Sequence, residues 1–457
     1  MQSKKKPNVI VFFTDQQRWD TTGTHGNPLG LTPNFDRMAK TGTHVNHSIT
    51  CQPVCGPARS CLQTGLYATT TGCYRNEIPL PESTKTLAHY FKSEGYRTAY
   101  IGKWHLGGED PVPEHRRGGY EFWLGADTLE YTSDAYDTVV YDNHCNPVKL
   151  PGYRVDALTD AAIRYINEKQ NENFFLFLSF LEPHHQNHHD NYPAPDGYQE
   201  RYIGGWIPPD LAALGGSTHH HISGYYGMVK RIDEALGRLR DALKSLSLDQ
   251  ETIILFTSDH GNHFKTRNDE YKRSCHDSSV RVPTALYGPG FNGGGEIQEL
   301  VSLIDLPPTL LDAAGIPIAE DMQGRSILPL INGHKEDWPE EAFIQISESQ
   351  VSRAIRTKRW KYAVTAPDKD GWNDSYSEHY VEEYLYDLEA DPYELVNLIG
   401  FQSHLAIADA MRERLIKRMA EAGEIEPIIE KAPVKPAGPN GQRRVSIDEY
   451  RQKVKLV

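Results

Sequence analysis

Three continuous apolar runs constrain this chain most: residues 8–14 (NVIVFFT), 174–181 (FFLFLSFL) and 251–257 (ETIILFT). Each is rich in β-branched or aromatic residues and lacks the polar alternation of a half-exposed strand. Such runs are strands buried on both faces, which requires a sheet covered by helices on each side. Each run stops in polar residues: Asp15-Gln16, then Glu182-Pro183-His184-His185, then Ser258-Asp259-His260-Gly261. In open α/β sheets the site lies beyond the carboxyl ends of the strands, so these stops are the first candidates for chemistry.

Helical patterns fill the intervals. Thr32-Pro33 starts a helix with proline in the first turn, where a missing N–H costs nothing. Residues 83–94, 156–170, 222–246 and 306–314 carry helical periodicity, while 43–49, 97–101 and 282–287 read as further strands. Residues 108–152, rich in Gly, Pro, Asp and Tyr, are expected to form loops and short strands. After about residue 335, AFIQIS, VSRAIRTKRWKYAV and EYLYDL read as antiparallel strands, followed by a helix over 406–422. The expected fold is α/β: a large mixed, mostly parallel sheet sandwiched by helices, with a smaller C-terminal antiparallel-sheet-plus-helix subdomain. The expected division is 1–335, 336–430 and an extended arm over 431–457 that either wraps a neighbouring copy or stands free.

The formal net charge of −14 over 457 residues argues against a nucleic-acid or anionic-membrane partner. Positive charge that meets an anionic substrate must therefore be local. Six cysteines at irregular spacings do not form a disulfide framework and suit a reducing compartment. No stretch approaches ~20 apolar residues, and the basic start before residue 8 lacks a cleavage site. The expectation is a cytoplasmic protein as written, or a periplasmic or secreted one if a leader was removed.

One stretch carries an unusual density of chemistry: Cys55-Gly56-Pro57-Ala58-Arg59-Ser60-Cys61-Leu62-Gln63-Thr64-Gly65. Pro57 suits a first helical turn, so Cys55 lies at a helix mouth where free N–H groups favour an anion. Arg59 is one turn on. Taken alone, a buried thiol at a helix start is the plainer reading. Asp15, Asp259 and His260 end two different buried strands, and oxygen ligands plus one imidazole suit a divalent ion. Lys103 and His105 alternate in GKWHLG after a strand, so both side chains can share a face.

The C-x-P-x-R pattern followed by Thr64-Gly65 resembles the formylglycine signature of the type I sulfatases, within the alkaline-phosphatase-like superfamily. Cys51 has Pro53 at the same offset but Cys55 where Arg would be needed, so it is a bystander. The resemblance implies that Cys55 is oxidised by a maturation enzyme to formylglycine, whose hydrate is the nucleophile. It implies one divalent metal on Asp15, Gln16, Asp259, His260 and the modified Cys55, with Ca2+ first and Mn2+ or Mg2+ as alternatives. Gln16 replaces an acid of the family pattern, which together with His260 is similar to the phosphonate monoester hydrolase and choline-sulfatase branch. By the same resemblance Lys103 and Lys272 bind sulfate, His105 contacts formylglycine, and His184 meets the sulfate or leaving oxygen. His185 is the rival of His184, and Lys265 and Arg273 are rivals of Lys272. His188, His189 and His219 to His221 are expected to lie in a solvated loop at the pocket rim. Asp391-Pro392-Tyr393-Glu394 and Asn397-Leu398 match a C-terminal fold marker of the family, explicable as a turn. The implied activity is hydrolysis of a sulfate monoester, first of a sulfated carbohydrate. Hydrolysis of a phosphonate monoester or phosphodiester is the alternative, and a non-catalytic binding module the remaining one.

Overall fold

The computed structural model describes residues 6–293 and 295–435. The three apolar runs form the centre of a ten-stranded sheet. Its strands are β1 (Asn8–Thr14), β2 (Thr43–Ile49), β3 (Arg97–Lys103), β4 (Phe122–Ala126), β5 (Thr138–Tyr141), β6 (Pro147–Leu150), β7 (Phe174–Ser179), β8 (Thr252–Ser258), β9 (Arg281–Tyr287) and β10 (Glu296–Ser302). They stand in the order β10-β2-β9-β8-β1-β7-β3-β4-β5-β6. β1 is parallel to both neighbours, with Ile10 opposite Leu176 and Ile254. β3 is parallel to β7 and β4. The carboxyl ends of β8, β1, β7 and β3 therefore share one end of the sheet. The sheet is mixed because β9 runs antiparallel to β8 and β2, and β5 antiparallel to β4 and β6.

The pleat sends alternate residues of β1 into two cores. Val9, Val11 and Phe13 pack with Leu62, Phe91 and Leu310, so the Cys55–Thr64, Leu87–Ser93 and Leu306–Ala313 helices cover one face. Ile10 and Phe12 pack with Leu158, Ile166 and Leu236, so the Arg154–Lys169 and Thr218–Ser245 helices cover the other. Each fully buried Leu or Phe contributes about 1.5–3 kcal/mol of transfer free energy, and β1 is buried along its whole length.

Local corrections have local causes. The helix expected from residue 83 begins at Leu87, because Thr86 takes the cap and closes a capping box with His89. The strand expected over 97–101 runs on to Lys103, which makes Lys103 a strand-end residue. β10 was not expected: its sequence EIQELVS mixes exposed and buried residues at a sheet edge, which hides the strand.

The second sheet holds β11 (Glu341–Ile346), β12 (Ser352–Thr357), β13 (Trp360–Thr365), β14 (His379–Asp387) and β15 (Ile428–Glu430), in that order. The first four are antiparallel as expected, and β15 adds a parallel edge. Phe343, Ile355 and Val364 pack on Ala408, Met411 and Leu415 of the Leu405–Glu421 helix. The opposite face, through Ile344, Ala354 and Ala363, meets Ile49, Cys275 and Val280 of the main body. Of the expected C-terminal arm, Lys435 N–H donates to Gly400 O at 2.8 Å, and residues 436–457 lie outside the described residues. Among the described residues no helix is long and apolar enough to cross a membrane.

Candidate active site

The carboxyl ends of the central strands deliver the acids. Asp15 follows β1 and Asp259 follows β8, and these strands are paired, so the two carboxylates are neighbours. His260 Nε2 lies 3.6 Å from an oxygen of each. His260 Nδ1 donates to Gly261 O at 2.9 Å, which fixes the tautomer and leaves the Nε2 lone pair facing the acids. Backbone N–H groups of Gln16 and His260 both donate to Asp259 Oδ1, at 2.9 and 2.8 Å.

The Cys55–Thr64 helix brings the thiol to this group. Val54 is extended, and Cys55 is the first helical residue, its N–H end aimed at the site. Cys55 Sγ lies 3.5 Å from Asp15 Oδ1 and 3.3 Å from His260 Nε2. One ligand atom from each of Asp15, Cys55, Asp259 and His260 falls within 4.8 Å of the others, a set that can hold a metal ion. The donor chemistry fits a divalent cation. Two buried acids, an imidazole lone pair and the Cys55 side chain converge, and burial with the neighbouring Asp15 pushes the Asp259 carboxyl up to about 7. A cation between them relieves that repulsion.

Basic groups close around the thiol. Lys272 Nζ is 2.8 Å from Cys55 Sγ and 3.1 Å from His184 Nε2. Lys103 Nζ bridges Asp15 Oδ2 at 2.8 Å and Glu130 Oε1 at 2.9 Å. Arg59 spends its fork on Asp15 Oδ2 at 3.0 Å, Lys103 O at 2.8 Å and Ser179 Oγ at 2.7 Å. Its charge therefore reaches the site through Asp15 and, at 3.5 Å, through Asp259 Oδ2. Burial opposes ionising Cys55, but Lys103 and Lys272 outweigh it and hold the thiol well below its ordinary value. Burial likewise opposes ionised Asp15, and Lys103 and Arg59 hold its carboxyl well below the usual range.

The rival assignments separate. Lys265 pairs with Asp190 at 3.0 Å, and Arg273 pairs with Glu348 at 2.6 Å. His184 Nδ1 donates to His185 O at 2.6 Å, which turns Nε2 to Lys272, while burial and Lys272 keep the ring neutral. His185 stacks on His184 and reaches Gln16 Oε1 at 3.3 Å. The Gln16 amide nitrogen is buried without a partner. His105 takes a positive φ of 59°, its ring interacts with the Cys55 side chain, and its Nδ1 is buried without a partner among the described residues. Cys51 is buried away from this cluster, against Cys61. All six cysteines are free thiols.

Two contributors, Ser179 and Glu130, escaped the sequence, and the structure gives Asp277 a bracing role. Ser179 ends β7 as a small polar residue in an apolar run. Glu130 belongs to a short turn within the loop-rich 108–152 region, with no local pattern of its own. Asp277 pairs with Arg356 and Lys361 and takes Glu394 as acceptor for its N–H at 2.6 Å, so the C-terminal sheet braces the segment just after Lys272. Glu394 is thus more than a fold marker.

A thiol on a helix mouth, metal-competent acids on paired strand ends and surrounding cations, all on this sheet, fit the alkaline-phosphatase-like fold. The sulfatase family model matches residues 7–316, and the model for the N-sulphoglucosamine sulphohydrolase C-terminal region matches residues 269–421. An ulvan-active sulfatase of Formosa agariphila is 30% identical over 442 residues, covering 92% of this chain and 82% of the relative. An N-acetylglucosamine-6-O-sulfatase of Bacteroides thetaiotaomicron is 24% identical, covering 87% of this chain and 83% of that protein. The yidJ sulfatase structure from Bacteroides fragilis superposes with a TM-score of 0.81 at 25% identity, covering 93% of this chain and 97% of that one. The phosphonate monoester hydrolase of Agrobacterium radiobacter shares the fold, with a TM-score of 0.70 at 22% identity, covering 91% of this chain and 96% of that one. The chain belongs to the sulfatase family and is a sulfuric ester hydrolase.

Proposed function

We propose that this enzyme cleaves the sulfate monoester of a carbohydrate at Cys55, matured to formylglycine by a separate generating enzyme. The observation that carries this reading is the position of Cys55 Sγ, which touches Asp15, His260 and Lys272 at once. The sugar half rests on relatives whose names include an ulvan-active sulfatase and an N-acetylglucosamine-6-O-sulfatase. Catalysis is assigned to the 1–335 region and bracing of the site to the 336–430 sheet and helix.

Formylglycine supplies a geminal diol, of which one hydroxyl displaces the alcohol from sulfur and the other expels sulfate to return the aldehyde. Asp15, Gln16, Asp259 and His260, with the matured Cys55, would hold a divalent ion, which would supply charge that lowers the pKa of the diol hydroxyl. Ca2+ is assigned first on family resemblance, with Mn2+ or Mg2+ as alternatives; the imidazole ligand favours Mn2+ among these. The chain's own residues do the rest. Lys103 and Lys272 offset charge on the sulfuryl oxygens, and Arg59 holds Asp15 in place. Neutral His184 accepts from Lys272, which makes Lys272 the proton donor to the leaving alcohol and His184 its orienting partner. His105, whose ring interacts with the Cys55 side chain, takes the proton of the second hydroxyl.

Gln16 and His260 favour one second reading, hydrolysis of phosphonate monoesters or phosphodiesters at the same site. Turnover of p-nitrophenyl sulfate, p-nitrophenyl phenylphosphonate and bis(p-nitrophenyl) phosphate by the matured enzyme separates the two. A higher kcat/KM on the sulfate supports the sulfatase reading. A higher value on either phosphorus ester overturns it.

A further inference from the structure

Glu130 is a carboxylate of the site that neither the metal set nor the mechanism uses. It is 3% exposed and sits in the short Leu129–Thr132 helix, its backbone carbonyl held by Gln186 Nε2 at 2.8 Å. Oε1 accepts from Lys103 Nζ at 2.9 Å. Oε2 is buried and has no hydrogen-bond partner among the described residues. Lys103 holds the carboxyl below its ordinary range against the cost of burial.

An ionised oxygen left unmet inside a protein costs stability, and native structures keep few of them. Placed beside an anion pocket, the charge also repels a bare sulfate ester. Lys103 already has Asp15 as a counter-ion at 2.8 Å, so neutralising Lys103 does not require a second acid. Both costs are offset when the alcohol half of the substrate brings a donor to Oε2.

Resting on the sulfatase reading above, we propose that Glu130 reads the alcohol half of the ester: Oε1 fixes Lys103 while Oε2 accepts a hydrogen bond from a hydroxyl or ammonium next to the sulfated carbon. The substrate class is thereby narrowed to sulfate esters with an adjacent donor.

The test uses the metal-loaded, formylglycine-bearing enzyme and its Glu130→Gln variant on two chromogenic esters. p-Nitrophenyl sulfate has no neighbouring donor, and 4-nitrocatechol sulfate has one hydroxyl beside the ester. Comparing the ratio of kcat/KM values between variant and wild type cancels the difference in leaving group. Loss of a hydrogen bond to a charged group lowers the nitrocatechol preference by about 10–100-fold. Calorimetric binding of inorganic sulfate supplies a readout without turnover: removal of the negative charge tightens it in Glu130→Gln. An unchanged preference with weaker sulfate binding means that Glu130 only clamps Lys103, and overturns the proposal. Failure of the wild-type enzyme to turn over either ester overturns the sulfatase reading, and this proposal with it.

Discussion

At the scale of single residues, the site is a cluster of opposite charges kept out of water, and each member depends on its neighbour. Lys272 is the sharpest case, because its ammonium touches both Cys55 Sγ and His184. Lys272→Ala should lower kcat by about 10²–10³-fold, the typical cost of losing one preorganised donor. Lys265→Ala should leave kcat within about twofold, since Lys265 faces Asp190 and a surface substitution disturbs little. Steady-state kinetics on one sulfate ester checks both, and equal losses would return Lys265 to the site. Much of this cluster is legible in the sequence: Asp15, Asp259, His260 and the Cys55 stretch are strand ends or a helix start, places with local signatures. Glu130 and Ser179 are not, because their roles come from chain reversals that bring distant segments together. His184 and His185 are adjacent and identical in type. Only the bond from His184 Nδ1 to the following carbonyl, which aims the other nitrogen at Lys272, tells them apart.

At the scale of elements, β3 and β7 must approach closely for Lys103 to stand beside Asp15. Gly102 takes φ 107°, and a Cβ there would lie 1.8 Å from Ser179 O. Backbone cannot swing aside as a side chain does, so Gly102→Ala should part the two strands at the site. The expected cost is at least about 1–3 kcal/mol, as for overpacking, with a matching loss of turnover. Urea denaturation and kinetics together check it; unchanged values for both would show that the strands have slack. Strands with continuous apolar runs were readable, since burial on both faces leaves no choice of residue. β10 and β15 were not, because an edge strand tolerates polar residues and its partner lies far away in the chain. The helix start at Leu87 shows the same limit: a cap depends on which of two nearby hydroxyl residues finds its reciprocal partner.

At the scale of the whole molecule, the C-terminal sheet is tied to the site through a buried charge network. Lys361 Nζ, fully buried, lies 2.5 Å from both Asp277 Oδ1 and Glu394 Oε1. Removing one member strands the others, so Lys361→Met should destabilise the fold by about 3–5 kcal/mol, measured by denaturant unfolding. A loss below about 1 kcal/mol would mean that the second sheet is not braced there. The marker segment around Glu394 was legible as a turn, but its part in the network was not, because Asp277 is more than a hundred residues away. Metal acts on the same scale: chelation should lower the thermal midpoint and abolish turnover, with Ca2+ or Mn2+ restoring both, as expected for a ligand bound only by the native state. The central claim is that Cys55 is the precursor of the nucleophile, and peptide mass spectrometry on natively produced, fully active enzyme tests it most directly. The account expects the Cys55 peptide at the mass of formylglycine, with specific activity proportional to the converted fraction. An unmodified Cys55 thiol in fully active enzyme would contradict it.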